Sequence, residues 1–127
     1  MQQDKMKKVI DDYIKSYNSF DVDGMLLKMH ENISFQNISN GVVNMKTEGI
    51  SEFRAAAEQS KQIFKSRCQT VTNYQFSDDS GSIEIDYSGE LAIDIPDGPK
   101  QGETLNMKGK SEFTFQDGLI IKLKDIS

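Results

Sequence analysis

The second half of the chain, from Arg67 onwards, contains only β-strand patterns, and this feature constrains the fold more than any other. The clearest pattern covers residues 82–95, where apolar and polar residues alternate. Strict alternation places one set of side chains on a buried face and the other set in water. Further strands are predicted at residues 68–76 and 103–116 and after Asp117-Gly118. We therefore expect a meander of antiparallel strands.

Three amphipathic helices and one hairpin are predicted before this meander. The first helix covers about residues 4–20, where apolar residues recur at spacings of three and four. Asp21 can cap a short second helix. A hairpin follows, with strands at residues 33–37 and 42–48, and the third helix begins after Gly49. These helices supply the apolar faces that a sheet with one buried face needs as partners.

A pair of glycines predicts how the sheet bends. The two longest predicted strands, residues 82–95 and 103–116, each have a glycine near the middle. In the register expected for their hairpin, Gly89 lies directly opposite Gly109. Paired glycines allow a sharp bend because no side chains resist it. The prediction is an α+β fold in which a strongly curved antiparallel sheet wraps around the three N-terminal helices, as one domain of residues 1–127.

Composition restricts the classes of partner and the compartment. The formal charge of −5 in 127 residues repels phosphate backbones, so nucleic acid is not an expected partner. The chain contains no stretch of about 18 apolar residues that could span a membrane, and we do not expect the polar N-terminus to be a secretory signal. The lone cysteine, Cys68, indicates a reducing compartment, which we take to be the cytoplasm. One histidine and no Cys/His ligand spacing predict no metal and no cofactor.

The order of elements carries a family resemblance. The residues concerned lie at the first helix junction, at the entry to the first strand, before the third helix and near the end of the chain: residues 13–23, 30–35, Gly49 and 113–120. The chain resembles the nuclear transport factor 2-like superfamily, which includes ketosteroid isomerases and SnoaL-like polyketide cyclases. The resemblance implies a cone-shaped, cystatin-like fold, an α+β barrel in form. Because the superfamily contains enzymes as well as binding and assembly domains, it does not select a function.

The resemblance also implies where catalytic groups of a ketosteroid isomerase would lie. Tyr13 matches the tyrosine that donates a hydrogen bond to the enolate. The position of the carboxylate base is occupied by Asn37, and that of the second acid by Lys108 or Ser111. Asparagine cannot accept a proton at neutral pH, whereas proton transfer needs a group that titrates. Ketosteroid isomerase chemistry is therefore not expected.

The predicted site is a mainly apolar cavity in which Tyr13 and Asn37 are the two groups that hydrogen-bond a carbonyl or hydroxyl of a ligand. Asn37 has the alternative role of holding a turn through its side chain. Weaker catalytic candidates are Tyr13 itself, Asp125 and His30. Asp125 has the alternative of a solvated strand end, and His30 that of a cation at a helix C-terminus. The residues predicted to bound the cavity are Tyr13, Tyr17, Phe35, Asn37, Tyr87, Met107 and Phe113.

Three functions remain open from the sequence. The first is the binding of a small hydrophobic or cyclic ligand without catalysis. The second is an isomerase, cyclase or dehydratase of SnoaL-like type with an unfamiliar acid–base set, such as Tyr13 with Asp125 or His30. The third is an assembly module whose own side chains fill the cone. Ile120 and Ile126 alternate out of phase with the predicted core positions, so we also predict a homodimer through the outer face of the sheet.

Overall fold

The computed structural model describes residues 1–127 and contains three helices and six strands. The helices are α1 (Gln3–Asn18), α2 (Val22–Leu26) and α3 (Ile50–Lys61). None of them has the length and hydrophobicity that a membrane span requires. The strands are β1 (Met29–Ser39), β2 (Val42–Glu48), β3 (Phe64–Ser77), β4 (Ser80–Leu91), β5 (Thr104–Gln116) and β6 (Leu119–Ile126).

The six strands form one curled sheet in the order β2-β1-β6-β5-β4-β3. The sheet is not closed into a barrel, because β2 and β3 are its two edges. The α+β fold class predicted from the sequence is confirmed, but the sheet is mixed rather than wholly antiparallel: β1 and β6 run parallel. Strand patterns alone do not reveal the direction of a neighbour that lies so far along the chain.

The core lies between the three helices and the inner face of the sheet. Helix α1 buries Met6, Ile10, Tyr13 and Ile14 on its inner stripe. The short helix α2 begins as predicted, because the side chain of Asp21 accepts a hydrogen bond from the Gly24 backbone at 2.9 Å. Strand β4 alternates as predicted, with its apolar residues buried and its charged residues outside. These faces place α1 and α3 across the inner side of the sheet.

The predicted glycine crease is wrong. In the observed register of β4 and β5, Gly109 lies opposite Ile85, and Gly89 lies opposite Leu105. The register differs because β4 ends at Leu91 and not at Ile95. The connection from β4 to β5 therefore has twelve residues and is longer than the predicted one. The two glycines therefore do not meet.

Gly89 has a different structural role, which concerns the ring of Phe64. A Cβ atom at Gly89 would lie 2.8 Å from two carbons of that ring, a distance that packed atoms do not tolerate. The missing side chain leaves space for the ring, which also packs edge-on against Tyr87 with 5.7 Å between ring centroids. Gly89 is thus a packing site for an aromatic ring.

The predicted outward position of Ile120 is also wrong. Ile120 is 0% exposed and belongs to the core. The pairing of β5 with β6 shifts register at Ile121, which has no partner on β5, and this bulge brings both Ile120 and Leu123 to the inner face. Ile126 is partly buried at the end of the strand. The homodimer stays a prediction, and Ile120 cannot contribute to its interface.

Candidate functional site

A cavity of about 500 Å³ lies between α1, α3 and the inner face of the sheet. Fourteen of its 25 lining residues are hydrophobic, so its character is mainly apolar. Met45 and Met107 line it and are 40% and 47% exposed, which places them at its mouth. Six of the seven residues predicted to bound the cavity do line it: Tyr13, Tyr17, Phe35, Asn37, Tyr87 and Met107.

Phe113, the seventh predicted residue, does not line the cavity. Its side chain is 1% exposed and packs edge-on against Tyr13, with 6.2 Å between ring centroids. The inner face of β5 changes character along its length, because Gly109 has no side chain and lines the cavity, whereas Phe113 fills the space below α1. The alternation of β5 was predicted from the sequence, but the position at which the core ends was not.

Three tyrosines provide hydroxyl groups in the cavity. The hydroxyls of Tyr17 and Tyr87 are hydrogen-bonded to each other at 2.9 Å. Burial raises the pKa of Tyr13, Tyr17 and Tyr87 above the ordinary value of 10.0. The three hydroxyls therefore stay protonated at neutral pH. Tyr13 can donate a hydrogen bond to a ligand, and so can one of Tyr17 and Tyr87, because the other donates its proton within the pair.

Asp125 lies in the cavity rather than at a solvated end. It pairs with Asn37 of β1 on one side and with Ser111 of β5 on the other, so that these three residues form a row across adjacent strands. The Ser111 hydroxyl donates a hydrogen bond to Asp125 Oδ1 at 2.7 Å. Burial raises the pKa of the Asp125 carboxyl to about 6, and the Ser111 bond opposes this rise.

The chain end stays ordered because strands flank β6 on both sides. The backbone N–H of Ser127 donates to the Ile38 carbonyl at 2.9 Å, and that of Asn40 donates to the Ser127 carbonyl at 3.2 Å. The expectation of a frayed, solvated Asp125 is therefore wrong. A single strand pattern at a chain terminus does not show that two neighbours will hold it.

Asn37 combines both roles considered for it. It lines the cavity, and its Nδ2 donates a hydrogen bond to Asn44 Oδ1 across the hairpin at 2.8 Å. One donor of its amide is therefore used within the hairpin, and the role of Tyr13 and Asn37 in orienting a ligand stays a prediction. The carboxyl group next to Asn37 belongs to Asp125 on the adjacent strand.

His30 lies outside the cavity. It is the second residue of β1, beyond the end of α2, so it is not the helix-terminal cation considered for it. Its Nδ1 accepts a hydrogen bond from the Asn32 backbone at 3.0 Å, and its Nε2 lies 3.6 Å from Asp117 Oδ2. Tyr13 lines the cavity and His30 does not, so these two residues do not form an acid–base set. No three His, Cys, Asp or Glu side chains are grouped so that they could hold a metal ion.

Two polar residues of the cavity, Arg67 and Gln69 on β3, were not predicted from the sequence. Both line it, and they are only 5% and 8% exposed. Arg67 Nη1 and Gln69 Oε1 have no hydrogen-bond partner in the protein. Arg67, Gln69 and Val71 are two residues apart along β3, so all three side chains lie on the inner face of the sheet. The predicted strand began at Cys68 and left Arg67 out, so this alternation was not recognised.

Two charged groups of the cavity have opposite effects on the pKa of the three tyrosine hydroxyls. Asp125 raises and Arg67 lowers the pKa of each of these hydroxyls. The cavity therefore has an acidic group and a basic group, with the tyrosines within electrostatic range of both. The arrangement can bind an apolar body, donate hydrogen bonds to an oxygen and accept a proton at Asp125.

Comparison with known proteins identifies the fold. No family model matches the sequence, and no curated protein matches it. Among solved structures, a protein from Jannaschia sp. CCS1, named as a candidate SnoaL-like polyketide cyclase, superimposes with a TM-score of 0.81 at 16% identity. That match covers 95% of this chain and 83% of the other. An NTF2-like protein of unknown function from Burkholderia pseudomallei gives 0.79 at 11% identity, covering 98% and 90%.

A third structure, TerC co-crystallised with polyporic acid, has a TM-score of 0.78 at 13% identity, covering 96% of this chain and 90% of the other. At these identities the likeness concerns the fold. The chain has the nuclear transport factor 2-like fold that SnoaL-like proteins share, and the fold that the resemblance implied is confirmed. The cavity on the inner face of the sheet is the candidate functional site of this fold.

Proposed function

We propose that the protein binds a small, largely apolar, cyclic or aromatic ligand in the cavity. The observation that carries this proposal is a mainly apolar cavity of about 500 Å³ with a few inward polar groups. Small-molecule sites in proteins have this size and this composition, because apolar contact supplies affinity while a few polar groups fix orientation. This open volume favours ligand binding over an assembly module whose own side chains fill the cone.

The shape of the apolar part supports a flat, cyclic ligand. Phe35 and Phe53 pack edge-on with 5.4 Å between ring centroids, and both line the cavity. Ile85 and Tyr87 on β4 face it from the sheet. Among the structural neighbours, TerC was crystallised with polyporic acid, and several carry names that refer to polyketide cyclases. Extending ligands of this kind to the present chain is part of the proposal.

Filling the cavity from α3 tests the proposal. Ala56 lines the cavity, whereas Ala55 is exposed on the same helix and does not. We expect Ala56→Phe to weaken the binding of cavity ligands at least tenfold, because the added ring occupies their space. The control Ala55→Phe adds the same ring to the outer face and should leave affinity within twofold. Affinities are measured by calorimetry with hits from a panel of polycyclic compounds screened by native mass spectrometry.

Two outcomes contradict ligand binding in the cavity. One is the absence of any bound compound in the wild-type screen. The other is an equal affinity of Ala56→Phe and Ala55→Phe for every hit, which would place the binding elsewhere. Circular dichroism on both variants verifies that each is folded before affinities are compared.

A second candidate function, proton transfer, is favoured by the position of Asp125. A carboxylate that shares an apolar cavity with protonated tyrosine hydroxyls can remove a proton from carbon while a hydroxyl stabilises the resulting oxyanion. Its pKa of about 6 makes it a stronger base than an exposed aspartate and still leaves it ionised at pH 7. Asn37 cannot act as the base, but Asp125, which pairs with it on the adjacent strand, supplies a carboxylate beside that position.

A base-sensitive probe tests this second candidate. The ring of 5-nitrobenzisoxazole opens when a base removes the proton from its C3 carbon. We expect the wild type to accelerate this elimination with a rate that rises through about pH 6, where Asp125 becomes ionised. Asp125→Asn should reduce the rate about 100-fold or more. Ser111→Ala removes the bond that lowers the pKa, so the inflection should move to higher pH. An unchanged rate in Asp125→Asn rules out this role.

A further inference from the structure

Arg67 is a buried cation to which the protein supplies no carboxylate partner. The chain has two arginines, and the other one, Arg54, is surface-exposed and pairs with Asp23 Oδ1 at 3.0 Å. Arg67 is 5% exposed, and its Nη1 has no hydrogen-bond partner. A guanidinium group removed from water and left with an unused donor is unfavourable unless something else compensates it. A ligand in the cavity can do so, since Arg67 lines it.

The protein holds the guanidinium in place without neutralising it. The guanidinium carbon lies 3.7 Å from the centroid of the Tyr17 ring and 4.5 Å from that of Phe20. Its Nε donates a hydrogen bond to the Tyr17 carbonyl at 3.0 Å. The aromatic faces attract the positive charge, and the carbonyl fixes the plane of the group. The result is a preoriented cation whose terminal donor Nη1 is unused.

Gln69 extends this polar group along the same strand. It lies two residues after Arg67, so both side chains point to the inner face of the sheet about 6.5–7 Å apart along the strand. Its Oε1 is buried and has no partner, although its backbone is fixed by Asn18, which bonds both the N–H and the carbonyl of Gln69. The cavity thus presents one unused donor and one unused acceptor on adjacent inward positions.

The other cations at the cavity are already paired. Lys108 Nζ lies 2.7 Å from Asp86 Oδ1, and Lys110 Nζ lies 3.4 Å from Glu112 Oε2, and both lysine side chains are exposed to solvent. The remaining charged group in the cavity, Asp125, repels an anion. An anionic ligand group is therefore favoured at Arg67 and disfavoured at Asp125, which determines the orientation of a bound ligand.

From these contacts we propose that the ligand is a cyclic or aromatic carboxylic acid whose carboxylate binds Arg67, while its apolar body lies against Phe35 and Ile85. This inference rests on the proposed function, because it names the class of ligand that the cavity takes. A ligand that also carries a hydrogen-bond donor beside the carboxylate can use Gln69 Oε1. The carboxylate is preferred to a neutral carbonyl because the charge of Arg67 is otherwise uncompensated.

A matched pair of probes tests the charge preference. Biphenyl-4-carboxylate and biphenyl-4-carboxamide have the same shape and differ in charge, and their affinities are measured by calorimetry at pH 7. We expect the wild type to bind the carboxylate at least tenfold more tightly than the amide. Arg67→Gln should abolish this difference. The control Arg54→Gln removes a charge of the same kind from the surface, and this variant should retain the difference in affinity.

Arginine side-chain NMR provides a second readout that does not depend on the stability of a variant. Because the chain has two arginines, its Nε–H spectrum has two signals to assign. The carboxylate should shift the Arg67 signal and leave the Arg54 signal unchanged. A shift of neither signal on saturation, with binding verified by calorimetry, overturns the proposal.

The outcomes separate this inference from the proposed function. Equal affinity for acid and amide, each lost in Ala56→Phe, refutes the carboxylate inference and leaves the cavity as a ligand site. A tenfold preference that persists in Arg67→Gln also refutes it, because the selectivity then has another source. Binding of neither probe refutes the inference, and the screen with polycyclic compounds then decides the proposed function by itself.

Discussion

Replacing Asp125 by asparagine is expected to stabilise the protein at pH 8 by about 3 kcal/mol and to leave its stability at pH 4 nearly unchanged. The cause is the burial of the carboxyl group, which raises its pKa to about 6 from the ordinary value of 3.8. The gap between these two values corresponds to about 3 kcal/mol, because each pKa unit is worth about 1.4 kcal/mol. Asparagine has nearly the same shape and carries no charge at any pH.

The direction of this effect follows from proton binding in the two states. Between about pH 4 and pH 6 the folded protein binds a proton at Asp125, whereas the unfolded chain has already released it. The contribution of Asp125 to the free energy of unfolding is therefore largest below about pH 4. It falls as pH rises through 6, and it stays low above that pH.

Urea unfolding of the wild type and Asp125→Asn at a series of pH values measures this dependence. The matched control is Asp97→Asn, which removes a carboxylate from the exposed connection between β4 and β5. Its effect should stay within about 0.5 kcal/mol at every pH. A difference between Asp125→Asn and the wild type that is the same at pH 4 and pH 8 contradicts a buried carboxyl group at this position.

Truncating Phe113 is expected to cost about 3–5 kcal/mol of stability, because its ring is buried at the centre of the core. The ring packs against both Tyr13 and Phe115, so Phe113→Ala leaves an internal void that the sheet and α1 cannot both close. Thermal and urea unfolding measure the loss. A residue that only lined the ligand site would not show a loss of this size.

Met107→Ala is the matched control on the same face of the same strand. Met107 lies at the mouth of the cavity and is half exposed, so its truncation should cost less than about 1 kcal/mol while weakening the binding of cavity ligands. If Phe113→Ala were as mild as Met107→Ala, the assignment of Phe113 to the core would be wrong.

The elements of the fold were predictable because they depend on local periodicity. The spacing of three and four in α1, the cap at Asp21 and the alternation of β4 each depend on residues within one or two turns of one another. Six of the seven residues predicted to bound the cavity do line it, since an inward position can be identified from these periodicities without knowing which strand lies next to it.

Register and strand phase were not predictable in this way. The pairing of Gly109 with Ile85 depends on the length of the connection after Leu91, and the burial of Ile120 depends on one unpaired residue at Ile121. A shift of one residue moves a side chain to the other face, so small differences of this kind reverse an inference about exposure.

The sequence by itself determined the three helices, the six strands and the apolar inner face, because local steric and hydrophobic preferences decide these. Only the tertiary structure decided the chemistry of the cavity. Asp125 is half-buried, with its carboxyl group turned into the cavity, because β1 and β5 flank the last strand. Arg67 lacks a carboxylate partner because α1 and the residues after it bring the rings of Tyr17 and Phe20 to it rather than an acid. The charge state and the unused bonds of a side chain are properties of its surroundings, which distant parts of the chain supply.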